Sequence, residues 1–286
     1  MNDAILLCNL SAGRRYLSPE GLERLCNRFC LAGIRCEPVV VGHGFEASPQ
    51  LDFRNKTLLI VYGGDGTIHH AIQQAAGQSV RLAILPAGTA NVLARELGIP
   101  LNLEEAIKII LQGRSRRISL GCSDDHFFHL MAGIGFDASV VASLNLRLKR
   151  VLGEGAYWCA GLKTFIHYRP QMIQVEAARE LIEGTSAIIG NARNYGGNLR
   201  ITPDANIADD LLDVCVFTSH RKLRYVQYFW GALCGDLRDY PDVVYRKART
   251  IRVTGTQLPV QMDGELVGRL PAAFSIFPRG IEVVVP

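Results

Sequence analysis

The sequence lacks long hydrophobic runs of the kind that cross a membrane. Among its 286 residues, the apolar stretches around positions 130–146 and 225–235 are short, and Asp137 interrupts the first. A membrane-spanning helix needs about 20 consecutive apolar residues. The opening segment MNDAILLCNLSAG has no basic region and too short an apolar run for a signal peptide. These absences predict a soluble, cytosolic protein.

Metal-binding and disulfide patterns of cysteine are also missing. The 8 cysteines form no C-x-x-C pair and no zinc-ribbon spacing. Cys26 and Cys30 lie one helical turn apart, but no neighbouring histidine or cysteine completes a metal site. Disulfides are not expected in a cytosolic chain. The thiols are therefore predicted to be buried or inert.

The charge pattern excludes another class of protein. The formal net charge is +4, and no basic stripe with interleaved aromatic residues is present, so nucleic acid is not expected as a partner. A mildly basic chain suits an anionic partner such as a nucleotide or a membrane surface. With 48% hydrophobic residues, the chain can bury the core of two domains or one large one.

Residues 1–120 alternate between strand and helix patterns. Short apolar runs at 4–9, 37–41, 57–62 and 81–85 predict strands, and helical spacing of apolar residues lies between them. Near-continuous apolar strands separated by helices indicate a parallel sheet covered on both faces. Such α/β domains bind ligands in the loops beyond the carboxyl ends of the strands.

The pattern changes after about residue 120. Short apolar segments such as TSAIIGNA, LLDVCVF, TIRVTG and LPVQMDGE lie between turns, which is typical of a largely antiparallel sandwich or barrel. Helical stretches are predicted within 139–168 and 221–235. We assign the second domain to residues 121–277 and allow for residues 278–286 to return to the first.

The segment VYGGDGT (61–67) follows a predicted strand and surrounds Asp65 with three glycines. Glycine permits close approach of the backbone to a ligand and positive φ angles. Thr67 is predicted to cap the following helix, whose first N–H groups then face an anion. No Walker P-loop is present, and an aspartate among phosphates requires a cation such as Mg²⁺. A turn without a ligand is the alternative.

Two further turns of small residues follow predicted strands. The fourth strand ends in LPAGTANVLAREL, and the first ends in CNLSAGRR. Because the carboxyl ends of parallel strands meet at one edge of a sheet, we expect these turns and GGDGT to form one phosphate site. The candidate donors from the two turns are Asn9, Ser11, Gly13, Gly88 and Thr89.

GGDGT followed by LPAGTANVLAREL resembles the catalytic family of the diacylglycerol kinases, which includes bacterial lipid kinases and the sphingosine and ceramide kinases. NAD kinases and phosphofructokinase-like enzymes share the first motif, but the second is more specific to the lipid kinases. The resemblance covers nearly the whole chain. It implies a Rossmann-like α/β nucleotide domain, a mostly β C-terminal sandwich, and an active site in the interdomain cleft.

The resemblance implies ATP as the phosphate donor and Mg²⁺ as the cofactor. The role of organising Mg²⁺ and the γ-phosphate is assigned to Asp65. Leu10 stands where the family usually has proline. Because proline has no backbone N–H, this replacement loses no hydrogen-bond donor. The implied nucleotide contacts are Asn9, Ser11, Gly13, Gly63, Gly64, Gly66, Thr67, Gly88, Thr89 and Asn91.

Two segments of the second half are implied to carry catalytic acids. QMDGE (261–265) matches the D-G-E segment of the family, which makes Glu265 the base that takes the proton of the lipid hydroxyl. Asp-Gly is also a strong hairpin signal, so a plain turn is the alternative. GIGFDA (133–138) gives Asp137 a role toward the lipid headgroup or a Mg²⁺-bound water. A structural loop aspartate is equally compatible.

The segment ITPDANIADDLLDV (201–214) resembles a loop that binds a structural Mg²⁺ in some bacterial members. The match gives Asp209 as the side-chain ligand and the carbonyl groups of Asn206 and Leu211 as further ligands. Asp210 stands where the family usually has glycine. A solvated acidic turn is the alternative.

Residues 143–168 mix basic side chains with leucines and aromatic residues. Arg147, Lys149 and Arg150 stand among leucines, and aromatic residues follow. This composition suits a surface helix that meets anionic lipid, and a structural helix with a solvated basic face is the alternative.

The sequence therefore predicts an ATP-dependent lipid kinase, with peripheral contact at the inner face of the membrane. An NAD-kinase-like enzyme and a non-catalytic nucleotide- or lipid-binding protein are the alternatives. The lipid is left open among diacylglycerol, phosphatidylglycerol, a sphingoid base and an undecaprenol-like alcohol. The oligomeric state is left open too, with a homodimer as one option.

Overall fold

The computed structural model describes residues 2–10, 16–42, 49–144, 155–196, 199–235 and 237–286. The chain divides into two units: unit 1 comprises Met1–Ile118 and Arg279–Pro286, and unit 2 comprises Ser119–Pro278. Several residues singled out in the sequence lie outside the described ranges, namely Ser11, Gly13, Arg147, Lys149 and Arg150.

Unit 1 is an α/β unit built on a parallel sheet. Its strands are β1 (Asn2–Asn9), β2 (Ile34–Val41), β3 (Leu58–Gly63) and β4 (Arg81–Pro86). Its helices are α1 (Pro19–Leu31), α2 (Asp65–Ala75), α3 (Val92–Glu96) and α4 (Leu103–Gln112). The boundaries between the two units fall inside two strands. The chain leaves unit 1 within β5 (Ser115–Ser123) and returns to it within β18 (Ala272–Val284).

The sheet of unit 1 runs in the order β2-β1-β3-β4 and continues to the last part of β18. Neighbouring strands are parallel, and Glu282 and Val283 of β18 pair with Arg81 and Leu82 of β4. All residues of β3 are buried, as expected for a strand covered on both faces. The carboxyl ends of β1, β3 and β4 therefore lie at one edge of this sheet.

Local signals in the sequence set the helix ends of unit 1. Ser18 caps α1 by accepting a hydrogen bond from the backbone N–H of Gly21 at 3.1 Å, and proline follows at the first helical position. Asn102 caps α4 by accepting from Glu104 and Glu105, and Gly113 ends that helix in the left-handed conformation, with φ of 71°.

Unit 2 is dominated by antiparallel strands. These are β6 (His126–Phe128), β7 (Met131–Ile134), β8 (Ile173–Ala177), β9 (Glu180–Gly184), β10 (Ser186–Gly190), β11 (Asn194–Tyr195), β12 (Leu199–Arg200), β13 (Leu212–Phe217), β14 (Val243–Ala248), β15 (Thr250–Gly255), β16 (Pro259–Met262) and β17 (Glu265–Arg269). Its helices are α5 (Phe136–Ala142), α6 (Gly155–His167) and α7 (Arg224–Cys234).

Two antiparallel sheets of unit 2 share one hydrophobic core. One sheet runs in the order β14-β13-β10-β7-β16-β17, and the other contains the first part of β18 with β15, β8 and β9. The buried cluster draws Ile189 and Val214 from the first sheet and Val175 and Ile251 from the second. Alternating inward-facing residues from both sheets make this unit a β-sandwich. Among the described residues, no helix is long and apolar enough to cross a bilayer.

Candidate active site

The two glycine turns after β3 and β4 are in backbone contact. Ala87 donates a hydrogen bond through its N–H to the carbonyl of Gly63 at 2.9 Å. A Cβ atom added at Gly64 would lie 2.9 Å from the Cα atom of Gly88, and one added at Gly88 would overlap the Cα atom of Gly64. Real Cβ atoms do not approach this closely, so the sequence has glycine at both positions because the two turns pack directly on each other.

The start of α2 differs from the expectation. The helix begins at Asp65 with Gly64 as its N-cap, so Thr67 lies inside the first turn, and the prediction that Thr67 caps the helix is wrong. Aspartate in a first turn is favoured by the exposed helical N–H groups, which explains the earlier start. The side chain of Thr67 is instead buried, and a Cβ atom at Gly63 would lie 2.5 Å from its Cβ.

The expected use of positive φ by these glycines is also wrong. None of Gly63, Gly64 and Gly66 adopts a positive φ, and Gly64 has φ of −98°. What the turn requires is the absence of side chains, because Gly63 packs under Thr67 and Gly64 packs against Gly88. Gly66 is exposed, and a Cβ atom there would meet nothing within 4 Å.

Asp65 links α2 to α3, the helices that follow the two glycine turns. Its Oδ1 atom accepts a hydrogen bond from the backbone N–H of Leu93, in the first turn of α3, at 3.3 Å. Nearby, the side-chain amide of Asn9, at the end of β1, donates to the hydroxyl of Thr67 at 3.4 Å. Unit 1 thus brings Asn9, Asp65 and Thr67 together with the two glycine turns, as the sequence predicts.

Asn91 shapes the second turn from within. It is 4% exposed and has φ of 50°. Its carbonyl oxygen accepts from the N–H of Gly88 and its amide donates to the carbonyl of Gly88, both at 2.8 Å. Thr89, at the tip of the turn, is exposed. Within this turn, Thr89 presents its side chain to solvent whereas the amide of Asn91 is engaged with the backbone.

The contact between the turns leads to a stability prediction. We expect Gly88→Ala to lower the free energy of unfolding by about 1–3 kcal/mol, because the new methyl group forces two backbones apart. Chemical denaturation of the purified protein measures this loss. The matched control is Gly66→Ala, which adds a methyl group in open space on α2 and should leave stability unchanged or raise it by up to about 1 kcal/mol. Equal stability of both variants would contradict the packing argument.

In unit 2, QMDGE forms the tight hairpin between β16 and β17. Asp263 and Gly264 have φ of 49° and 86°, and Met262 pairs with Glu265 across the turn. Two consecutive left-handed residues are typical of the hairpin turn that Asp-Gly favours. Glu265 is therefore the first residue of β17, and it is half-buried.

Asp263 anchors this hairpin, a role that its place in a turn signal does not reveal. Its carboxylate accepts from the backbone N–H groups of His129, Leu130 and Met131 at 2.9, 3.0 and 3.0 Å. It also lies 2.8 Å from Nδ1 of His129, and its side chain is 1% exposed. A buried carboxylate with this many donors is strongly fixed. Asp263 thus holds in place the turn that carries Glu265.

Asp137 lies in the first turn of α5 in a buried polar network. The hydroxyl of Tyr195 donates to its Oδ1, and the side-chain amide of Gln261 donates to its Oδ2 at 2.6 Å. Burial raises the pKa of the Asp137 carboxyl, and the hydrogen bonds from Tyr195 and Gln261 oppose that rise. A Cβ atom at Gly133 would overlap Oδ2 of Asp137, which explains the first glycine of GIGFDA. Sequence reasoning missed Tyr195 and Gln261.

The acidic loop of unit 2 is ordered by its own backbone. Oδ1 of Asp209 accepts from the N–H of Leu211 at 3.1 Å, and the N–H of Asp209 donates to the carbonyl of Asn206 at 3.0 Å. The buried Asp213 lies nearby. Burial, with smaller contributions from Asp209 and Asp204, raises the pKa of its carboxyl to about 6 in spite of an ion pair with Lys247. Carboxylate and carbonyl oxygens are a donor set that suits Mg²⁺.

Comparison with known proteins identifies the family. The diacylglycerol kinase catalytic domain matches residues 3–123, and the YegS C-terminal NAD kinase beta sandwich-like domain matches residues 131–285. A diacylglycerol kinase of Mycobacterium tuberculosis (strain ATCC 25618 / H37Rv) is 33% identical over 237 residues, covering 80% of this chain and 76% of that protein. The chain belongs to the diacylglycerol kinase family.

Other members agree over the full length. The diacylglycerol kinase of Bacillus subtilis (strain 168) is 27% identical over 295 residues, covering 100% of this chain and 97% of that protein. A crystal structure of a diacylglycerol kinase from Bacillus anthracis str. Sterne has a TM-score of 0.75 at 19% identity, covering 100% of this chain and 97% of that one. The predicted fold class and lipid-kinase family are confirmed, and an NAD-kinase-like enzyme is not favoured.

Proposed function

We propose that the protein is an ATP-dependent diacylglycerol kinase, which transfers the γ-phosphate of ATP to the free hydroxyl of diacylglycerol. The observation that carries this proposal is the placement of Asp65 between two glycine turns at the carboxyl edge of the parallel sheet. Ligands bind at this edge in α/β folds. Family membership then favours ATP as the donor and a lipid as the acceptor.

Unit 1 binds the nucleotide in this proposal. The exposed Gly66 has open space beside its backbone, which leaves room for phosphate oxygens, and the exposed Thr89 offers a hydroxyl donor. Asn91 keeps the second turn in shape. A carboxylate next to a turn that binds phosphates is a suitable ligand for a divalent cation held with those phosphates. Asp65 is therefore the residue that would hold Mg²⁺. When bound, Mg²⁺ neutralises phosphate charge during transfer.

Unit 2 acts on the lipid hydroxyl. Glu265 accepts the hydroxyl proton as the oxygen attacks the γ-phosphorus, while the bond to the β,γ-bridging oxygen breaks and ADP leaves. The hairpin fixed by Asp263 holds the Glu265 carboxylate in position. Asp137, whose carboxylate is oriented by Tyr195 and Gln261, is assigned a role toward the lipid headgroup or a water bound to Mg²⁺. Phosphoryl transfer depends mainly on such positioning and on charge stabilisation.

Phosphate transfer from radiolabelled ATP tests this function. We expect label in phosphatidic acid when diacylglycerol is supplied in mixed micelles, and none in NADP when NAD is supplied. Parallel micelles with phosphatidylglycerol, a sphingoid base or an undecaprenol-like alcohol compare the other lipids. Binding of ATP without transfer to any of these acceptors would instead favour a non-catalytic sensor.

An exposed apolar surface on α6 and α7 supports peripheral membrane contact. Leu162 and Ile166 of α6 are 66% and 60% exposed, and Trp230 of α7 is 61% exposed. Lys222, just before α7, donates to the carbonyl of Ile166 and lies 5.1 Å from the ring of Phe165, so the two helices meet here. Apolar side chains beside basic ones suit an anionic bilayer surface.

This surface leads to a binding prediction. We expect Trp230→Ser to weaken binding to vesicles of phosphatidylglycerol about tenfold or more, because a large apolar group no longer enters the bilayer. Vesicle co-sedimentation measures the effect. Leu181→Ser removes a similarly exposed side chain on β9, 63% exposed, and should bind like the unaltered protein. Equal binding of both variants would exclude the α6–α7 surface as the contact.

We also propose that the Asp209 loop holds a structural Mg²⁺. In the absence of nucleotide, 10 mM Mg²⁺, roughly tenfold above a millimolar dissociation constant, should raise the melting temperature by about 2–4 °C. Asp209→Asn should abolish the rise. The control, Asp210→Asn, removes an exposed neighbour whose carboxylate lies 3.8 Å from Arg249, and it should keep the rise. A rise that persists in Asp209→Asn would place the ion elsewhere.

A further inference from the structure

Gln261 joins the two catalytic acids proposed for unit 2. Its side-chain carbonyl accepts from the backbone N–H of Gly264 at 2.7 Å, next to Glu265 in the chain. Its side-chain amide donates to Oδ2 of Asp137 at 2.6 Å. One side chain therefore spans from the turn that carries Glu265 to the helix that carries Asp137.

The strand geometry explains how a polar side chain reaches this place. Val260 and Met262 are buried in the sandwich core, so alternation turns Gln261 to the opposite face of β16. The register of β16 against β7 is unbroken across these residues, and the extra residue in the pairing of β16 with β17 is Val267 of β17. Gln261 is 0% exposed, although a glutamine is usually at the surface.

The neighbouring backbone leaves room for this arrangement. Gly133 of β7 lies opposite Gln261 in the sheet. A Cβ atom at Gly133 would lie 2.7 Å from the amide nitrogen of Gln261 and would overlap the Asp137 carboxylate. Tyr195 holds the other oxygen of that carboxylate. The orientation of the Gln261 amide is thereby determined, because Asp137 accepts its N–H and leaves its carbonyl directed at Gly264.

The geometry points to Gln261 as a positioning residue, which fixes the turn of Glu265 relative to Asp137. This inference rests on the roles proposed above for those two acids. Gln261 transfers no proton itself: it holds the amide of Gly264, and so the start of β17, in one place. Misplacement of a catalytic group by about 1 Å is enough to slow an enzyme markedly.

Two substitutions of matched length test the inference. Gln261→Met removes both hydrogen bonds. Gln261→Glu keeps an acceptor for the N–H of Gly264. Its new carboxylate shares one proton with the Asp137 carboxylate, since adjacent carboxylates do not both ionise. We expect kcat for diacylglycerol phosphorylation to fall about 10- to 100-fold in Gln261→Met, with KM for ATP unchanged and a smaller loss in Gln261→Glu. Gln257→Leu, an exposed glutamine nearby, should behave as the unaltered protein.

Hydrogen exchange gives a readout that does not depend on activity. The Gly264 amide should exchange slowly in the unaltered protein and in Gln261→Glu, and at least tenfold faster in Gln261→Met. If the unaltered protein phosphorylates no lipid, the proposed function fails, and this exchange rate still decides whether Gln261 holds the turn. Unchanged kcat, or unchanged exchange at Gly264, in folded Gln261→Met would overturn the inference.

A milder change covers the case in which Gln261→Met does not fold. Tyr195→Phe removes one hydrogen bond from the Asp137 carboxylate and leaves Gln261 in place. We expect kcat to fall about three- to tenfold with KM for ATP unchanged. A loss confined to KM for ATP, or none at all, would count against a positioning network in unit 2.

Discussion

Asp65→Asn should lower kcat for lipid phosphorylation by about 10²–10³-fold or more, judged by the usual effect of removing one group that stabilises transition-state charge. The side-chain oxygen of asparagine can still accept the N–H of Leu93, which Asp65 binds at 3.3 Å. The variant therefore loses a negative charge and keeps the link between α2 and α3. Label transfer from radioactive ATP to diacylglycerol, measured across Mg²⁺ concentrations, quantifies the loss.

The control for Asp65→Asn is Asp52→Asn. The Asp52 side chain is 57% exposed and pairs with Arg54 at 2.6 Å, so its replacement removes the same charge from unit 1 away from the glycine turns. We expect full activity. An Asp65→Asn enzyme within a fewfold of the unaltered protein at saturating Mg²⁺ would exclude Asp65 as the residue that holds the ion.

Glu265→Gln should lower kcat about 10²–10⁴-fold, the usual contribution of a general base. The hairpin should persist because its anchors, the Asp263 carboxylate and the Gly264 amide, are unchanged. Since nucleotide binding is assigned to unit 1, affinity for MgATP should stay the same. Single-turnover transfer and equilibrium nucleotide binding, measured on the same preparation, separate the two quantities.

Glu183→Gln is the matched control for this second variant, because Glu183 is an exposed glutamate on β9 of the same unit. It should retain full activity. If Glu265→Gln weakened MgATP binding and left kcat intact, the residue would belong to the nucleotide site and the base would have to be another group.

The sequence predicts the architecture well because local patterns determine it. The buried runs of β3 and β4 are nearly all apolar, and the small-residue turns follow them directly. The D-G-E segment also predicts its own hairpin, since Asp263 and Gly264 tolerate left-handed φ. The first residue of a helix is harder to predict, because several neighbouring residues are each suited to a helix start. Thr67 is predicted to cap α2, but in the structure α2 begins at Asp65.

Long-range polar contacts are what the sequence does not predict. Gln261 and Asp137 are 124 residues apart, and Tyr195 and Asp137 are 58 apart. No pattern in any one of these segments indicates that they meet. The role of Asp263 was missed for the same reason, because its three backbone donors come from a segment more than a hundred residues earlier. Such contacts follow only from the three-dimensional fold.

The passage of β18 from unit 2 back to unit 1 has a consequence for biosynthesis. The strand β4 has a neighbour on its second side only when Glu282 and Val283 of β18 pair with it. During translation, the sheet of unit 1 therefore gains its last strand only after the intervening residues of unit 2, Ser119–Pro278, have left the ribosome. Until then its sheet exposes an unpaired edge, which is the state in which a nascent chain is most open to chaperones and to aggregation.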